Sequence, residues 1–339
     1  MTIRFAAIGL DHRHIFDLTA QLRAAGAECA GYCPETSDPR VLAGFRERFP
    51  DVPAADRERL LDDSSIGLVA CAAIPRDRAA IAMDAMRRGK DVIVDKPGIL
   101  SEPDLDSVQR TVAETGRIFS ICFSERLLTP SSEVARQLVH EGRIGRVLQL
   151  VGLGPHRMNR KIRPAWFFDP DMAGGILADI ATHQIDQFLT LTGATDAEIV
   201  ACAIANHATP ENPRFADFGE LLLRHETASA YFRLDWFTAD GLPTWGDGRS
   251  FILGTEGTIE LRKYVDIAGR PGTDHVFVVD RDGTRHIDAS GTQLTYFRRF
   301  LADLRDRTET AMAQAHVFTV TRLALEAQAR AERRGRLAG

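Results

Sequence analysis

Residues 3–26 read IRFAAIGLDHRHIFDLTAQLRAAG, and this stretch decides the fold of the first part of the chain. The apolar run from Ile3 to Ile8 carries a single charge and ends at Gly9, which predicts a strand buried on both faces of a parallel sheet. Apolar residues at helical spacing follow from Ile15 to Ala25, and Gly26 stands where a helix is usually capped. Strand, tight turn and helix in this order open a doubly wound α/β domain.

The same alternation continues to about residue 125. The pattern predicts strands at residues 29–33, 66–73, 92–94 and 118–123, and helices at residues 41–49, 76–88 and 103–115. We therefore predict an N-terminal Rossmann domain, a doubly wound parallel sheet, at residues 1–124.

The rhythm changes in the remaining chain. Strands there alternate polar with apolar residues and follow one another directly, most clearly at Phe218–Arg224 and Ala228–Trp236, which predicts an antiparallel sheet. Helices are predicted at residues 175–191 and, as a pair, within residues 293–330. Residues 125–339 are thus expected to form an α+β open-sheet domain for substrate binding and oligomerisation, whose closing helix can pack back on the first domain.

Length and composition limit the function classes. The 339 residues suit about two domains, and 44% hydrophobic with 26% charged residues is typical of a globular protein. A net charge of -5 without a basic block argues against nucleic acid as a partner, and no apolar run reaches the roughly 20 residues of a membrane helix. The five scattered cysteines form no Cys-x-x-Cys pair, which favours reduced thiols and a cytoplasmic location.

The turn after the first predicted strand keeps only one of the three glycines of a dinucleotide-binding turn. Gly9 is present, whereas Asp11 and His14 stand at the second and third glycine positions. Asp11 would repel a pyrophosphate unless His12, Arg13 and the helix N-terminus offset its charge. Two alternatives remain open: Asp11 caps the following helix, or Asp11, His12 and His14 bind a metal ion. No metal is predicted, because the sequence shows no further ligand cluster.

An acidic residue that binds the ribose is expected about 20 residues after the glycine turn. Glu35 is the acid nearest to that place, and Cys33 occupies the position where an aspartate is more usual. Glu35 favours NAD over NADP because its charge would repel a 2′-phosphate, for which Arg40 is the nearest attracting group. The alternative is that Glu35 is a solvated loop carboxylate.

Two further motifs give the sequence a family resemblance. Residues 94–97 read VDKP, and residues 174–186 read GGILADIATHQID. Together they resemble the glucose-fructose oxidoreductase/inositol dehydrogenase (Gfo/Idh/MocA) family, with its Glu-Lys-Pro and Gly-Gly-x-Leu-x-Asp-x-x-x-His-x-x-Asp patterns. The resemblance implies a Rossmann domain that holds NAD or NADP, an open-sheet domain, and a substrate bound between the two. Asp95 departs from the pattern by replacing the usual glutamate.

By position in those motifs, Lys96 corresponds to the family's active-site lysine, and Asp179 and His183 to its acid and histidine. Asp179 and His183 are four residues apart, so they share one face of the predicted helix. Removing hydride from an alcohol needs a base and a positive group for the developing alkoxide, which suit His183 and Lys96. The alternatives are a core histidine and a lysine that merely ends a strand, and Asp186 is expected to pair with a base or cap a helix.

A basic segment precedes the second motif. Residues 156–166 carry four cationic side chains in a predicted loop. Arg163 suits a carboxylate or phosphate of an acidic sugar derivative, and Trp166 suits the face of a sugar ring. The alternative is a solvated basic loop with Trp166 in the core.

These observations predict an oxidoreductase that transfers a hydride between a nicotinamide cofactor and a hydroxyl or carbonyl group of a sugar, polyol or related compound. A catalytically silent ligand-binding or regulatory protein and an NAD-using glycosidase or lyase are the alternatives. The predicted cofactor-binding residues are Gly9, Asp11, His12, Arg13, His14, Glu35, Ala73, Pro75, Lys96 and Pro97.

Self-association is expected through an apolar face of the open sheet, as in similar family members, giving a homodimer or homotetramer. The residues assigned to that face are Leu221, Leu223, Tyr231, Leu234 and Trp236.

Overall fold

The computed structural model describes residues 2–334, which fold into two compact units. The first unit contains the chain up to Cys122 together with Asp171–Gly174 and Thr295–Thr321. The second contains Phe123–Pro170, Gly175–Leu294 and the chain from Arg322 onward. Within residues 2–334, every helix is too short or too polar to cross a membrane.

The first unit is built on a parallel sheet. Its strands are β1 (Arg4–Leu10), β2 (Glu28–Tyr32), β3 (Leu68–Ala72), β4 (Asp91–Asp95) and β5 (Phe119–Cys122). They lie in the order β2-β1-β3-β4-β5, and each neighbouring pair is parallel. The predicted doubly wound sheet is therefore confirmed. From β1 the chain adds β2 on one side of the sheet and then β3 to β5 on the other side. Folds of this kind bind ligands in the crevice at the carboxyl ends of the two strands where the order changes, here β1 and β3.

The sequence pattern predicted seven helices, whereas the described chain contains twelve, and their limits also differ from the prediction. In the described chain they are α1 (His14–Ala24), α2 (Pro39–Arg48), α3 (Arg57–Asp62), α4 (Pro75–Arg87), α5 (Glu102–Thr115), α6 (Ser124–Leu127), α7 (Pro130–His140), α8 (Pro170–Ala173), α9 (Ile176–Asp179), α10 (Ala181–Thr192), α11 (Tyr296–Asp306) and α12 (Gln314–Arg334). Three helices of the first unit, α2, α4 and α5, carry proline in their first turn, where a missing N–H is harmless, so they begin earlier than predicted.

The second unit is built on a mixed sheet. Its strands are β6 (Val147–Pro155), β7 (Glu198–Ala205), β8 (Phe218–His225), β9 (Ala228–Asp235), β10 (Arg249–Gly254), β11 (Thr258–Arg262), β12 (His275–Asp280) and β13 (Gly283–Asp288). Their order is β13-β12-β11-β10-β6-β9-β8-β7. The expectation of a purely antiparallel sheet was wrong at one pair, since β6 and β9 are parallel. The long connection between them, which includes α8, α9 and α10, allows the crossover that a parallel pair requires.

The two faces of this sheet differ. Helices α9 and α10 pack on β6, β8 and β9. Of the residues assigned to an exposed face, Leu221, Leu223, Leu234 and Trp236 are buried within the chain, so that assignment was wrong for them. Tyr231 faces the other side, where its hydroxyl donates to Glu220 at 3.0 Å.

The open side of the sheet has its own apolar surface, which alternation places one residue away from the buried set. Phe251, Leu253 and Val279 lie there and are 40%, 43% and 46% exposed. Strand pairing aligns Phe251 with Val151, and Val151 with Tyr231, in one row across the sheet. We call this row, with Leu253 and Val279 beside it, the open face.

Candidate active site

Gly9, the second-last residue of β1, is a glycine that no other residue could replace without strain. Gly9 has φ +77°, and a Cβ added to it would lie 2.5 Å from the Cβ of Ala73. Both the backbone conformation and the close approach of β1 to the residue after β3 therefore require glycine. The sequence assigned Gly9 to the cofactor site, and that role stays a prediction.

Asp11 does not cap α1. Its Oδ1 accepts hydrogen bonds from the backbone N–H of Ser37 at 2.6 Å, the Ser37 hydroxyl at 2.7 Å and the Thr36 hydroxyl at 3.2 Å. Its Oδ2 faces the N–H of Ile74 at 3.3 Å. The capping interpretation was therefore wrong: Asp11 joins the turn after β1 to the segments that follow β2 and β3.

A cavity of about 240 Å³ lies at the carboxyl ends of β1, β2 and β3. Gly9, Asp11, Glu35 and Ala73 are among its lining residues, and Arg57 lines it as well. Arg57 was not predicted as a cofactor-site residue, because it lies in the short polar helix α3, which the sequence pattern did not predict. The proposed phosphate-attracting residue Arg40 is instead paired with Asp38 at 2.9 Å and does not line this cavity.

Asp95, at the end of β4, gathers two histidines from the turn after β1. Its Oδ1 lies 2.9 Å from His14 Nδ1, and its Oδ2 lies 3.4 Å from His12 Nδ1. Burial, together with the neighbouring charge of His14, lowers the pKa of His12 to about 3, so its ring is neutral. Burial alone would raise the pKa of Asp95, but His14 and Arg78 hold that pKa well below its usual range.

Arg78 fixes the segment that carries the predicted active-site lysine. Its side chain is 1% exposed, and its Nη1 donates to the carbonyl oxygens of Asp95, Lys96 and Pro97 at 2.9, 2.6 and 3.0 Å. Its Nε donates to the carbonyl of Ala73 at 2.7 Å. The backbone of the VDKP motif is thereby held by one buried guanidinium, and Lys96 itself is 6% exposed.

The other predicted cofactor residues lie around the same strand ends. Pro75 begins α4 and is buried, whereas Arg13 is exposed at the position that precedes α1. Glu35 is exposed at the rim of the cavity. The first unit therefore brings the predicted cofactor residues to its carboxyl edge. The alternative metal set of Asp11, His12 and His14 is not formed, because the carboxylate of Asp11 is bonded to Thr36 and Ser37.

In the second unit, Asp179 and His183 lie on two short helices rather than on one. The predicted helix at residues 175–191 divides at Ile180, between α9 and α10. The carbonyl of Asp179 accepts a hydrogen bond from the Thr182 hydroxyl at 3.0 Å. His183 lies in the first turn of α10 and is 1% exposed, so its ring is buried.

A buried charge pair lies beside His183 and was not predicted from the sequence. Glu125, 3% exposed, accepts hydrogen bonds on Oε2 from Lys263 Nζ at 2.8 Å and from Gln184 Nε2 at 3.0 Å. Burial raises the pKa of Glu125, but the charges of Lys263, His183 and His156 outweigh it and hold the pKa well below its usual range. Gln184 thus links α10, next to His183, to this carboxylate.

Asp186 is held by a base, as the sequence led us to expect. Arg126 Nε and Nη2 donate to its two carboxylate oxygens, each at 2.6 Å. This bidentate pair joins α6 to α10 and fixes the helix that carries His183.

The basic segment is partly folded into the second unit. Arg163 donates to the carbonyl of Met158 at 2.9 Å, and its guanidinium lies 4.3 Å from the centre of the Phe167 ring. Trp166 is 8% exposed, which agrees with the core alternative for this residue. Any contact of Arg163 or Trp166 with substrate stays a prediction.

Family comparisons agree with this architecture. Residues 34–123 match the family described as "Oxidoreductase family, NAD-binding Rossmann fold", and residues 133–260 match the "GFO/IDH/MocA C-terminal domain". The chain is 25% identical over 312 residues to the NAD(+)-dependent scyllo-inositol 2-dehydrogenase of Bacillus subtilis, covering 87% of this chain and 85% of that enzyme. It is 29% identical over 181 residues to levoglucosan dehydrogenase of Pseudarthrobacter phenanthrenivorans, covering 52% of this chain and only 45% of that enzyme.

Solved structures extend the similarity to the whole chain. A protein from Erwinia carotovora atroseptica, described as an oxidoreductase, is 48% identical, with a TM-score of 0.94 and coverage of 99% of this chain and 100% of the other. Levoglucosan dehydrogenase in complex with NADH and levoglucosan has a TM-score of 0.79 at 20% identity, with 98% of each chain covered. At that identity the second likeness concerns the fold alone.

Proposed function

Because the chain belongs to the Gfo/Idh/MocA family of NAD(P)-dependent oxidoreductases, we propose that it transfers a hydride between a nicotinamide cofactor and a hydroxyl or carbonyl group of a sugar or polyol. The observation that supports this most is the cavity at the carboxyl ends of β1, β2 and β3, where Gly9 lies against Ala73. Backbone can approach a pyrophosphate closely only where such a glycine removes the Cβ. The relatives named above act on an inositol and on levoglucosan, which suggests the substrate class.

The residues fit a dinucleotide without the usual glycine-rich turn. Asp11 is saturated by donors from Thr36 and Ser37, so its negative charge is offset locally rather than directed at a phosphate. Arg13, exposed before α1, and the N–H groups of the first turn of α1 then supply positive potential. A bound nicotinamide supplies the hydride acceptor or donor.

For the chemical step we propose three residues. His183 takes the proton of the reacting hydroxyl, and the ammonium of Lys96 stabilises the alkoxide that develops. Asp179 orients His183 or contacts the substrate. The anchoring of the Lys96 segment by Arg78 and of α10 by Arg126 supports these roles, because catalytic groups need rigid placement.

For the cofactor we propose NAD. Glu35 at the rim of the cavity would repel a 2′-phosphate. Arg57, which also lines the cavity, is the residue that would attract one, although it is paired with Asp84 at 2.9 Å. The choice between NAD and NADP therefore depends on the balance of these two side chains.

For the substrate we propose a neutral or acidic sugar or polyol. The cationic residues 156–166 favour a carboxylate-bearing derivative, with Arg163, whose guanidinium packs on Phe167, as the recognising group and Trp166 as a ring for the sugar face. We also propose that the open face of the second unit pairs with a second copy of the chain, giving a homodimer or homotetramer.

The experiment has two steps. Thermal unfolding is measured with NAD, NADH, NADP and NADPH, since a ligand at 100 times its Kd stabilises a fold by about 2.7 kcal/mol. Reduction of the stabilising cofactor is then followed with a panel of inositols, aldoses, anhydro sugars and aldonates. Gly9→Ala, whose Cβ would meet Ala73 at 2.5 Å, should weaken cofactor binding, whereas Gly67→Ala meets nothing within 4 Å and is the matched control.

Three outcomes separate the functions. Cofactor binding with net turnover of one substrate supports the dehydrogenase. Binding with product formation but no net change in cofactor redox state indicates a glycosidase or lyase that uses NAD internally. No stabilisation by any of the four dinucleotides contradicts the proposal and favours a silent ligand-binding or regulatory protein.

A further inference from the structure

Three potential metal ligands meet at the carboxyl edge of the parallel sheet. His12 lies in the turn after β1, His14 begins α1, and Asp95 ends β4. One ligand atom from each lies within 4.8 Å of the others. The set differs from the one that the sequence suggested, because Asp11 is bonded to Thr36 and Ser37 and Asp95 takes its place.

The spacing of these atoms is close to that of a metal site. Around a tetrahedral zinc ion with bonds of about 2.0–2.2 Å, two ligand atoms lie about 3.3 Å apart. The separation of His14 Nδ1 from Asp95 Oδ1 is 2.9 Å, and that of His12 Nδ1 from Asp95 Oδ2 is 3.4 Å. Each histidine nitrogen therefore already lies at about this separation from one oxygen of Asp95, and one ligand atom of each residue lies within 4.8 Å of the others.

The carboxylate is incompletely satisfied. Asp95 Oδ2 is buried and accepts no well-aligned hydrogen bond from residues 2–334, although Arg78 Nη2 lies 3.2 Å away. A buried carboxylate oxygen without a well-aligned donor keeps an acceptor position that a metal ion can occupy. Besides the guanidinium of Arg78, the carboxylate of Asp95 faces the imidazoles of His12 and His14.

The backbone holds the ligands in place. The N–H of His12 donates to the carbonyl of Ala72 at 2.9 Å, and His14 is the first residue of α1. Arg78 Nη1 fixes the backbone of Asp95 by donating a hydrogen bond to its carbonyl oxygen. Rigid support of this kind is what distinguishes a built metal site from a chance cluster.

We propose that His12, His14 and Asp95 bind one divalent transition-metal ion, with zinc favoured by the two imidazoles and one carboxylate. Three protein ligands leave at least one coordination position for water or an anion. The side chains of His12 and His14 are 20% and 27% exposed, so solvent or a small ligand can reach that position.

The test titrates the chelator-stripped protein with Co²⁺ and Zn²⁺ in the absence of dinucleotide. Co²⁺ binding is followed by its visible absorption, which reports coordination number and nitrogen ligands, and Zn²⁺ binding by calorimetry. We expect one equivalent per chain. His14→Asn and His12→Asn should each weaken binding by about 100-fold or more, because each removes one of three ligands.

The matched control is His286→Gln. It removes one member of another close pair, His275 and His286, whose ring nitrogens lie 3.1 Å apart, and should leave the titration unchanged. Circular dichroism establishes that each variant is folded, and Asp95→Asn is added only as a third variant because it also contacts Arg78. Since neither readout involves hydride transfer, the result is independent of the proposed function.

Two results would overturn this inference. One is the absence of stoichiometric Co²⁺ and Zn²⁺ binding by the wild-type protein. The other is a stoichiometric site whose affinity is the same in the wild type, His12→Asn and His14→Asn, which would place the ion elsewhere.

Discussion

The two units neutralise buried carboxylates in different ways. In the second unit each buried acid near α10 has its own strong base: Glu125 has Lys263, and Asp186 has Arg126. In the first unit Asp95 is faced by Arg78 and by two histidines, yet one of its oxygens still lacks a well-aligned donor within residues 2–334.

The difference lies in how completely each buried carboxylate is paired. A matched, bidentate or doubly hydrogen-bonded pair fixes one arrangement of the chain, as Arg126 fixes α6 against α10. An acid with an excess of weakly engaged neighbours is poised to accept a ligand, and such perturbed groups concentrate at functional sites. Substitutions in the paired acids and bases of the second unit should therefore damage stability, whereas substitutions of the residues proposed for the reaction, Lys96 and His183, should damage hydride transfer.

The largest effect is expected on reaction. Lys96→Met and His183→Asn should lower the rate of hydride transfer by roughly 10²–10⁴-fold, because an alkoxide-stabilising charge or a base is lost. The Kd for NAD should change little. The measurement is stopped-flow hydride transfer with the substrate that the panel identifies.

Exposed Arg110→Met, on α5, and the hairpin variant His225→Asn are the controls for loss of a cation and of a histidine. Wild-type transfer rates in Lys96→Met and His183→Asn would show that both residues are structural, and the catalytic roles proposed for them would be wrong.

The next effect is on stability in the second unit. Lys263→Met leaves Glu125 buried without its cation and should lower the free energy of unfolding by about 3–5 kcal/mol. The double variant Glu125→Gln with Lys263→Met should lose less, because no unpaired charge remains. Urea denaturation of the wild type, both variants and the control Lys161→Met, at an exposed lysine, measures this, and a loss below about 1 kcal/mol in Lys263→Met would contradict the structural role.

The pH dependence of the same pair has a definite sign. The pKa of Glu125 is lower in the folded protein than its unfolded value of about 4.3, so its stabilisation is complete above that pH. It is lost as the pH falls toward the folded pKa. The stability difference between wild type and Glu125→Gln should therefore be largest near neutral pH and shrink below about pH 4. A difference that grows on acidification would be the opposite of this expectation.

The sequence predicted the first unit better than the second for a physical reason. The apolar strand ending at Gly9 and its alternation with helices are local patterns, and they correctly located β1 to β5. The mixed pairing of β6 with β9 depends on a long connection that no local pattern records.

At the site, the motifs identified the Lys96 and His183 segments but not their supports. Arg78 and Glu125 are charged residues in the interior, and their burial depends on partners distant in sequence, such as the carbonyl of Lys96 and the ammonium of Lys263. Asp11 follows the same principle, since donors from residues 36 and 37 replaced the local helix cap that propensity favoured.

A smaller effect is expected at the open face, where neither unit's charge pairs are involved. Phe251→Asp should weaken self-association about 30-fold, by about 2 kcal/mol, because a central aromatic residue is replaced by a charge. Light scattering over a concentration series measures it. Ile267→Asp, at a position 62% exposed and outside the strands, is the control. A wild-type protein that stays at about 37 kDa at micromolar concentration would remove the basis for the open-face interface.

The smallest effect concerns cofactor choice, and it returns to the first unit. Glu35 is exposed at the rim of the cavity, so solvent screens its charge and its repulsion of a 2′-phosphate is modest. Glu35→Gln should improve the Kd for NADPH relative to NADH by about fivefold. Glu47→Gln, at an exposed acid on α2 that does not line the cavity, should leave the ratio of the two Kd values unchanged.

If wild-type protein binds NADPH at least as tightly as NADH, Arg57 outweighs Glu35 and the assignment of NAD is wrong. Arg57→Met would then restore a preference for NADH, because it removes the one cation that lines the cavity among residues 2–334.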